Sequence, residues 1–285
     1  MPRSVAVVGV GRLGSPVARR LVSAGFEVTV CDSDESAMAS LADCAAADVV
    51  VVLVATPDQV RDVVLGPDGV MVGRSGPHAP AVVVMSTVAP ATVQDLGQRL
   101  REQHVPLIDA PVSGGPRRAE DGTLTVMIGG DEVDVEPVRP VLSAVGSRLF
   151  PCGPVGAAQL VKLVNNAICA ANVVISAEAY HLASRAGMAP TDIAHVLDTG
   201  TGRNFLSAGE VTPEAYYALW TEGGRGGFES WRAIIRKDVG LALDLAADSP
   251  HQYPALNQLL AMLDSMGEET FGIWQELGSR GTAHR

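Results

Sequence analysis

A chain of 285 residues, 47% of them apolar, is long enough for one large domain or two, each with its own buried core. Its formal net charge of -11, with no basic patch to offset it, excludes a nucleic-acid or anionic-membrane partner of the electrostatic kind. The longest apolar run, Val49–Ala55, is far short of a membrane span, and no secretory signal is visible in "MPRSVAVVGVG". The four cysteines (31, 44, 152, 169) show no paired spacing and read as reduced residues of a cytoplasmic protein.

The first half alternates short β-branched runs with helical patterns. "SVAVVGVG" (4–11), "EVTVCD" (27–32), "DVVVVLVA" (48–55), "AVVVMST" (81–87) and "PLIDAPV" (106–112) lack alternation, as strands buried on both faces of a parallel sheet do. Helices are expected over Leu13–Ala24, from Pro57, and over Ala91–Gln103. "GTLTVMIGGD" (122–131) adds a strand and a turn. This order predicts an α/β fold with a Rossmann-type doubly wound parallel sheet.

After about Phe150 no strand-like run follows. One long helical pattern covers Gln159–Ala186, then come Asp192–Asp198, Ala233–Ala247 and Pro254–Met266, with "TEGGRGGFES" (221–230) as a glycine-rich loop. The expected division is 1–156 for a dinucleotide-binding domain and 157–285 for an all-helical domain of substrate binding and oligomerisation, joined through the long helix.

Gly9, Gly11 and Gly14 stand in GxGxxG spacing within "GVGRLG", between a strand and a helix. That context, not the triplet alone, is the dinucleotide fingerprint. The residues of the turn (Gly9, Val10, Gly11, Arg12, Leu13, Gly14) are candidate cofactor contacts, the helix N-terminus stabilising the pyrophosphate. Asp32 ends the second strand, where a carboxylate accepts from a ribose 2′-OH and repels a 2′-phosphate. Ser33 follows rather than an arginine, so NAD is favoured over NADP.

The chain holds 19 arginines and only two lysines, Lys162 and Lys237. Arginine is always charged, whereas a lysine amine exchanges its proton when burial lowers its pKa. Lys162 is therefore a candidate acid–base group. On the helix wheel Gln159, Lys162, Asn165 and Asn166 share one sector for two turns only, as if the first turns border a cleft and the remainder is buried. The plain alternative is a lysine snorkelling at a domain edge, with asparagines as local caps. Lys237, beside Arg232, Arg236 and Asp238, reads equally well as part of a charged helix surface.

Four motifs in order, "GVGRLGSPVA" (9–18), "DAPVSGG" (109–115), "GAAQLVKLVNN" (156–166) and "KDVGLAL" (237–243), resemble the β-hydroxyacid dehydrogenase family, of which 3-hydroxyisobutyrate dehydrogenase is the familiar member. The resemblance covers almost the whole chain. It implies a Rossmann domain followed by an all-helical one, assembled as a homodimer or homotetramer, acting with NAD or NADP on a small carboxylate substrate. It implies Lys162 as the catalytic lysine with Asn166 as its partner. Ser113, Gly114 and Gly115 would hold the substrate carboxylate; Thr56 and Pro57 would touch the cofactor, Thr87 would sit on the nicotinamide side, and Lys237 near nicotinamide and substrate. Ala158 departs from the family pattern, which usually has glycine there. The loop "TGTGRNFLSAG" (199–209) is expected to shape substrate choice.

The implied reaction is reversible hydride transfer between the cofactor and a small 3-hydroxy acid, giving its semialdehyde or keto form. Imine reductases share the scaffold but generally lack the lysine. Decarboxylating phosphogluconate-type enzymes need a phosphate cluster, where only scattered arginines such as Arg203 and Arg225 stand. A non-catalytic dinucleotide-binding module is the alternative of a different class. No metal site is expected.

Overall fold

The computed structural model describes residues 2–32, 39–72, 79–209, 211–248 and 250–280. Ser33 lies outside the described residues. Two compact units are resolved, Met1–Leu163 and Val164–Arg285.

The first unit is built on β1 (Ser4–Val8), α1 (Gly14–Ser23), β2 (Glu27–Cys31), α2 (Leu41–Cys44), β3 (Val49–Val52), α3 (Pro57–Leu65), β4 (Ala81–Val84), α4 (Pro90–Arg101), β5 (Leu107–Asp109), β6 (Val112–Ser113), α5 (Gly115–Glu120), β7 (Leu124–Gly129), α6 (Glu132–Val145) and β8 (Gly146–Gly153). The sheet order is β2-β1-β3-β4-β5-β7-β6, with β8 paired to β7. The strands β2, β1, β3, β4 and β5 are mutually parallel. Both faces of this block are covered. Val5 and Val7 pack into a core shared with α1 and α6, while Ala6 and Val8 pack into one shared with α3 and α4. All four residues of β3 are buried, which is why an unbroken valine run is a strand here.

Three details correct the sequence-based expectation. The sheet is mixed, because β7 runs antiparallel to both β5 and β6. The run 106–112 is two strands, broken at Ala110 and Pro111, since proline cannot donate to a ladder. Strand β8 continues past Phe150 to Gly153; its exposed residues and Pro151 hide it in the sequence.

Helix α7 (Ala157–Arg185) gives its first two turns to the first unit and the rest to the second. The second unit adds α8 (Pro190–Thr199), α9 (Pro213–Thr221), α10 (Arg225–Asp244), α11 (Pro254–Ser265) and α12 (Glu268–Arg280). Its core is aromatic. Trp220, Trp231 and Trp274 meet one another with ring centroids 4.8–5.7 Å apart, and Tyr217 and Phe228 meet Trp274 edge-on. The stretch 221–230 is not a glycine loop. Only Glu222–Gly224 connects α9 to α10, and Gly226 and Gly227 are helical. A Cβ on Gly227 would strike the carbonyl of Glu222, so glycine is retained for close approach.

Helix α7 turns its short polar sector inward but leaves part of its apolar surface exposed. Gln159, Lys162 and Asn166 are buried, at 0%, 8% and 7% exposure, together with Leu163, Ala167, Ala170 and Val173, whereas Leu160, Val161, Val164 and Ile168 are 43–58% exposed. Hydrogen bonds compensate the buried Gln159 and Asn166 amides on this mixed face.

Candidate active site

The parallel strands all end at one edge of the sheet, and the sequence-predicted cofactor residues follow those ends: Gly9 after β1, Asp32 after β2, Thr56 after β3 and Thr87 after β4. The strand order reverses between β1 and β3, the place where open α/β sheets form a ligand crevice.

The glycine turn has two kinds of glycine. Gly9 has φ +91, and a Cβ there would strike the carbonyl of Leu53; a Cβ on Gly14 would strike the carbonyl of Gly9. These two are required by the chain itself. A Cβ on Gly11 would meet nothing within 4 Å, so the fold does not demand glycine there. Close approach by an external group, such as the pyrophosphate of a dinucleotide, would demand it. No side chain caps α1, and its first turn carries no acidic residue. Arg12 is exposed, Leu13 stands at the N-cap position, and Pro16 fills the first turn. The Asp32 carboxylate accepts from the Val10 N–H at 2.8 Å, bracing the turn from the end of β2. These residues fit a bound dinucleotide.

Thr56 caps α3 with a reciprocal capping box. Its hydroxyl accepts from the Gln59 N–H at 3.2 Å, the Gln59 side chain accepts from the Thr56 N–H at 3.0 Å, and Pro57 occupies the first turn. Ser113 ends β6, and Gly114 and Gly115 follow at φ +138 and +72, conformations that glycine alone adopts without strain. A Cβ on Gly114 would also press on Arg118 and Leu124.

The start of α7 is tied to the same edge. Asp109, at the end of β5, is fully buried. Its Oδ2 accepts from the N–H groups of Gly156 at 3.0 Å and Gln159 at 3.2 Å, and its Oδ1 accepts from Gln159 Nε2 at 2.8 Å. Burial pushes its carboxyl up to about 6 against the pull of these bonds. Gln159 also donates to the Ser86 carbonyl and accepts from the Val88 N–H, both at 3.0 Å, on either side of Thr87. Gly129 leaves room, since a Cβ there would come within 3.0 Å of the Asp109 carboxylate and 3.3 Å of the Ala158 nitrogen. Ala158 itself is fully buried, so its methyl group faces protein, not solvent.

In the second unit Asn166 donates to Asp238 Oδ2 at 2.6 Å, and Lys237 donates to Asp238 Oδ1 at 2.7 Å. Asn165 donates to Asn166 Oδ1 at 3.0 Å. Asp238 is 1% exposed. Sequence reading noted it only as a neighbour of Lys237. Its signal was a carboxylate on the apolar side of an otherwise amphipathic helix. Lys237 is thus a half-buried amine paired with a buried carboxylate and not part of a plain charged surface. Arg203 donates to Asp198, and Arg225 pairs with Glu229 and Glu268, so each is held by carboxylates. Among the described residues no cluster of three metal-ligating side chains occurs.

Comparison with known proteins agrees with this arrangement. Residues 4–153 match the NAD-binding domain of 6-phosphogluconate dehydrogenase, and residues 156–275 match the NAD-binding family of NADP-dependent 3-hydroxyisobutyrate dehydrogenase. The NAD-dependent L-serine dehydrogenase of Pseudomonas aeruginosa is 30% identical over 96% of this chain and 97% of its own. The 3-hydroxyisobutyrate dehydrogenase of the same organism is 31% identical over 84% of each. The crystal structure of 3-hydroxyisobutyrate dehydrogenase from Salmonella typhimurium superposes with a TM-score of 0.78 at 28% identity, over 96% of this chain and 99% of that one. The chain belongs to the β-hydroxyacid dehydrogenase family of the 3-hydroxyisobutyrate dehydrogenase type, whose members are NAD(P)-dependent oxidoreductases.

Proposed function

We propose that Lys162 is the general acid–base of reversible hydride transfer between NAD(P) and a small 3-hydroxy acid, with Asn166 as its partner. The single observation that carries this is the burial of Lys162 and Asn166 on the inward face of α7, at 8% and 7% exposure. An amine takes up and releases a proton, which the arginines used elsewhere do not. The nicotinamide, when bound, supplies the hydride acceptor or donor. Ser113, Gly114 and Gly115 anchor the substrate carboxylate. Asn166 orients the substrate hydroxyl, Asp238 holds the Asn166 amide in turn, and Lys237 serves as a further substrate and cofactor contact. Lys162 accepts the hydroxyl proton on oxidation and returns it on reduction. Gly9, Val10, Gly11, Arg12, Leu13, Gly14, Asp32, Thr56, Pro57 and Thr87 contact the cofactor, with NAD favoured by Asp32.

Residues 1–156 are assigned to dinucleotide binding and 157–285 to substrate binding and assembly. The exposed stripe Leu160, Val161, Val164, Ile168, Ile175 and Leu182 along α7 supports homo-oligomerisation, since apolar rows of this extent are normally covered by a partner. The free thiols support a cytoplasmic setting.

Turnover of Lys162→Ala tests the reading. With short 3-hydroxy acids such as L-serine and 3-hydroxyisobutyrate, kcat falls by about 10²–10⁴ while cofactor affinity is retained. Full activity of that variant removes the assignment, and turnover on none of the hydroxy acids by the unaltered protein favours a non-catalytic module.

A further inference from the structure

Gln159 joins two parts of the first unit that the proposed chemistry needs in register. Its side chain spans Thr87, donating to the carbonyl before it and accepting from the N–H after it. Its other amide hydrogen goes to Asp109 Oδ1. A carboxylate only accepts, so Gln159 Nε2 must face Asp109, and Oε1 is left for the Val88 N–H. Both Nε2 hydrogens and the Oε1 atom of the amide are engaged, and none can be exchanged without stranding a buried group. Asp109 and Gln159 are fully buried and Ser86 is 3% exposed, so stranding is expensive in a medium without water.

The same carboxylate ties down the first turn of α7 through the N–H groups of Gly156 and Gln159, at the positive end of that helix. Lys162 follows Gln159 by three residues, about 4.5 Å along the axis. The segment on the nicotinamide side and the helix bearing the amine are thus fastened to one buried pair.

We propose that Asp109 and Gln159 are a positioning pair that fixes the Thr87 segment against the start of α7, keeping hydride and proton transfer aligned. It rests on the roles given above to Thr87 and Lys162. Neither member touches the reacting atoms. Their effect is exerted through geometry, where a displacement of about 1 Å costs up to about 10²-fold in rate.

The test is Gln159→Met, which keeps volume and removes the amide. Kinetics are measured per folded enzyme, with NAD and the better substrate of L-serine and 3-hydroxyisobutyrate, each with hydrogen or deuterium on the carbinol carbon. Misalignment slows the chemical step alone. The expected result is a kcat about 10- to 100-fold lower, a larger deuterium isotope effect on kcat, and an unchanged cofactor Kd. A wild-type kcat and isotope effect overturn the proposal. Should Gln159→Met fail to fold, Gln159→Glu is compared with Asp109→Asn/Gln159→Glu. The single variant sets two carboxylates together. The double variant restores a donor–acceptor pair between 109 and 159, although Ser86 stays without its donor. Recovery of kcat by at least about tenfold over Gln159→Glu is expected, and no recovery overturns the proposal. Lys162→Ala, run in parallel, separates the two readings. If it alone retains turnover, the acid–base role fails while the effect of Gln159 on the isotope effect still stands.

Discussion

Asn166 donates its amide to Asp238 at 2.6 Å, and both groups are buried. Because Asp238 also accepts from Lys237, one carboxylate sets the orientation of two residues that sequence motifs assign to the site. Replacing it with the neutral isostere, Asp238→Asn, places an amide where two donors converge. The expected outcome is a stability loss of about 1–3 kcal/mol, together with a lower kcat as the Asn166 side chain turns. Thermal melts and steady-state kinetics check this. A kcat equal to wild type would show that Asp238 supports the fold alone.

The two kinds of glycine in the turn predict opposite readouts for one substitution. Gly14→Ala forces a Cβ into the Gly9 carbonyl and destabilises the protein by about 1–3 kcal/mol or more. Gly11→Ala meets nothing in the chain, so stability stays within about 0.5 kcal/mol while cofactor affinity drops. Melting curves and fluorescence titration with NADH distinguish the cases. Equal loss of stability in both would refute the distinction.

Asp109 gives the protein a defined pH dependence. Burial raises its carboxyl from the ordinary 3.8 to about 6, although bonds from Gln159, Gly156 and Ala158 oppose the rise. The folded value exceeds the unfolded one. The stabilising contribution is therefore complete below about pH 4 and is lost as the pH climbs through about 6. The displacement corresponds to roughly 3 kcal/mol. Asp109→Asn has no such titration. Its stability relative to wild type improves by that order between about pH 4 and pH 7, as read from urea unfolding at stepped pH. A pH-independent difference would contradict the raised value.

Charging the apolar row of α7 tests assembly. Ile168→Asp lies on a 58% exposed position, so the isolated fold tolerates it, but an apolar interface does not. Sedimentation of the wild type as an oligomer and of the variant as a smaller species is expected. A monomeric wild type would exclude the proposed assembly.

The parallel half of the sheet was legible because Val49–Val52 and its neighbours are β-branched and buried on both faces. The direction of β7 was not, since antiparallel pairing depends on tertiary register and not on "LTVMIG" itself. Lys162 and Asn166 were singled out through lysine scarcity and motif order, but the exposure of Leu160, Val161, Val164 and Ile168 beside them was not legible. A wheel sorts residues by polarity, whereas Gln159 and Asn166 are buried by partners remote in sequence, Asp109 and Asp238. Those two carboxylates left one faint signal each, an acid at the end of an apolar strand and an acid on an apolar helix face.

The bond from Val10 to Asp32 has a consequence for the protein's history. In the proposed site Asp32 reads the ribose, and it also acts as a strut for the glycine turn. In that reading, discrimination between the two dinucleotides and integrity of the turn are inherited together. A lineage drifting toward the phosphorylated dinucleotide by replacing Asp32 would lose the strut in the same step, and its intermediate would hold neither cofactor well. Another acceptor for the Val10 N–H has to arise first if the turn is to keep its brace.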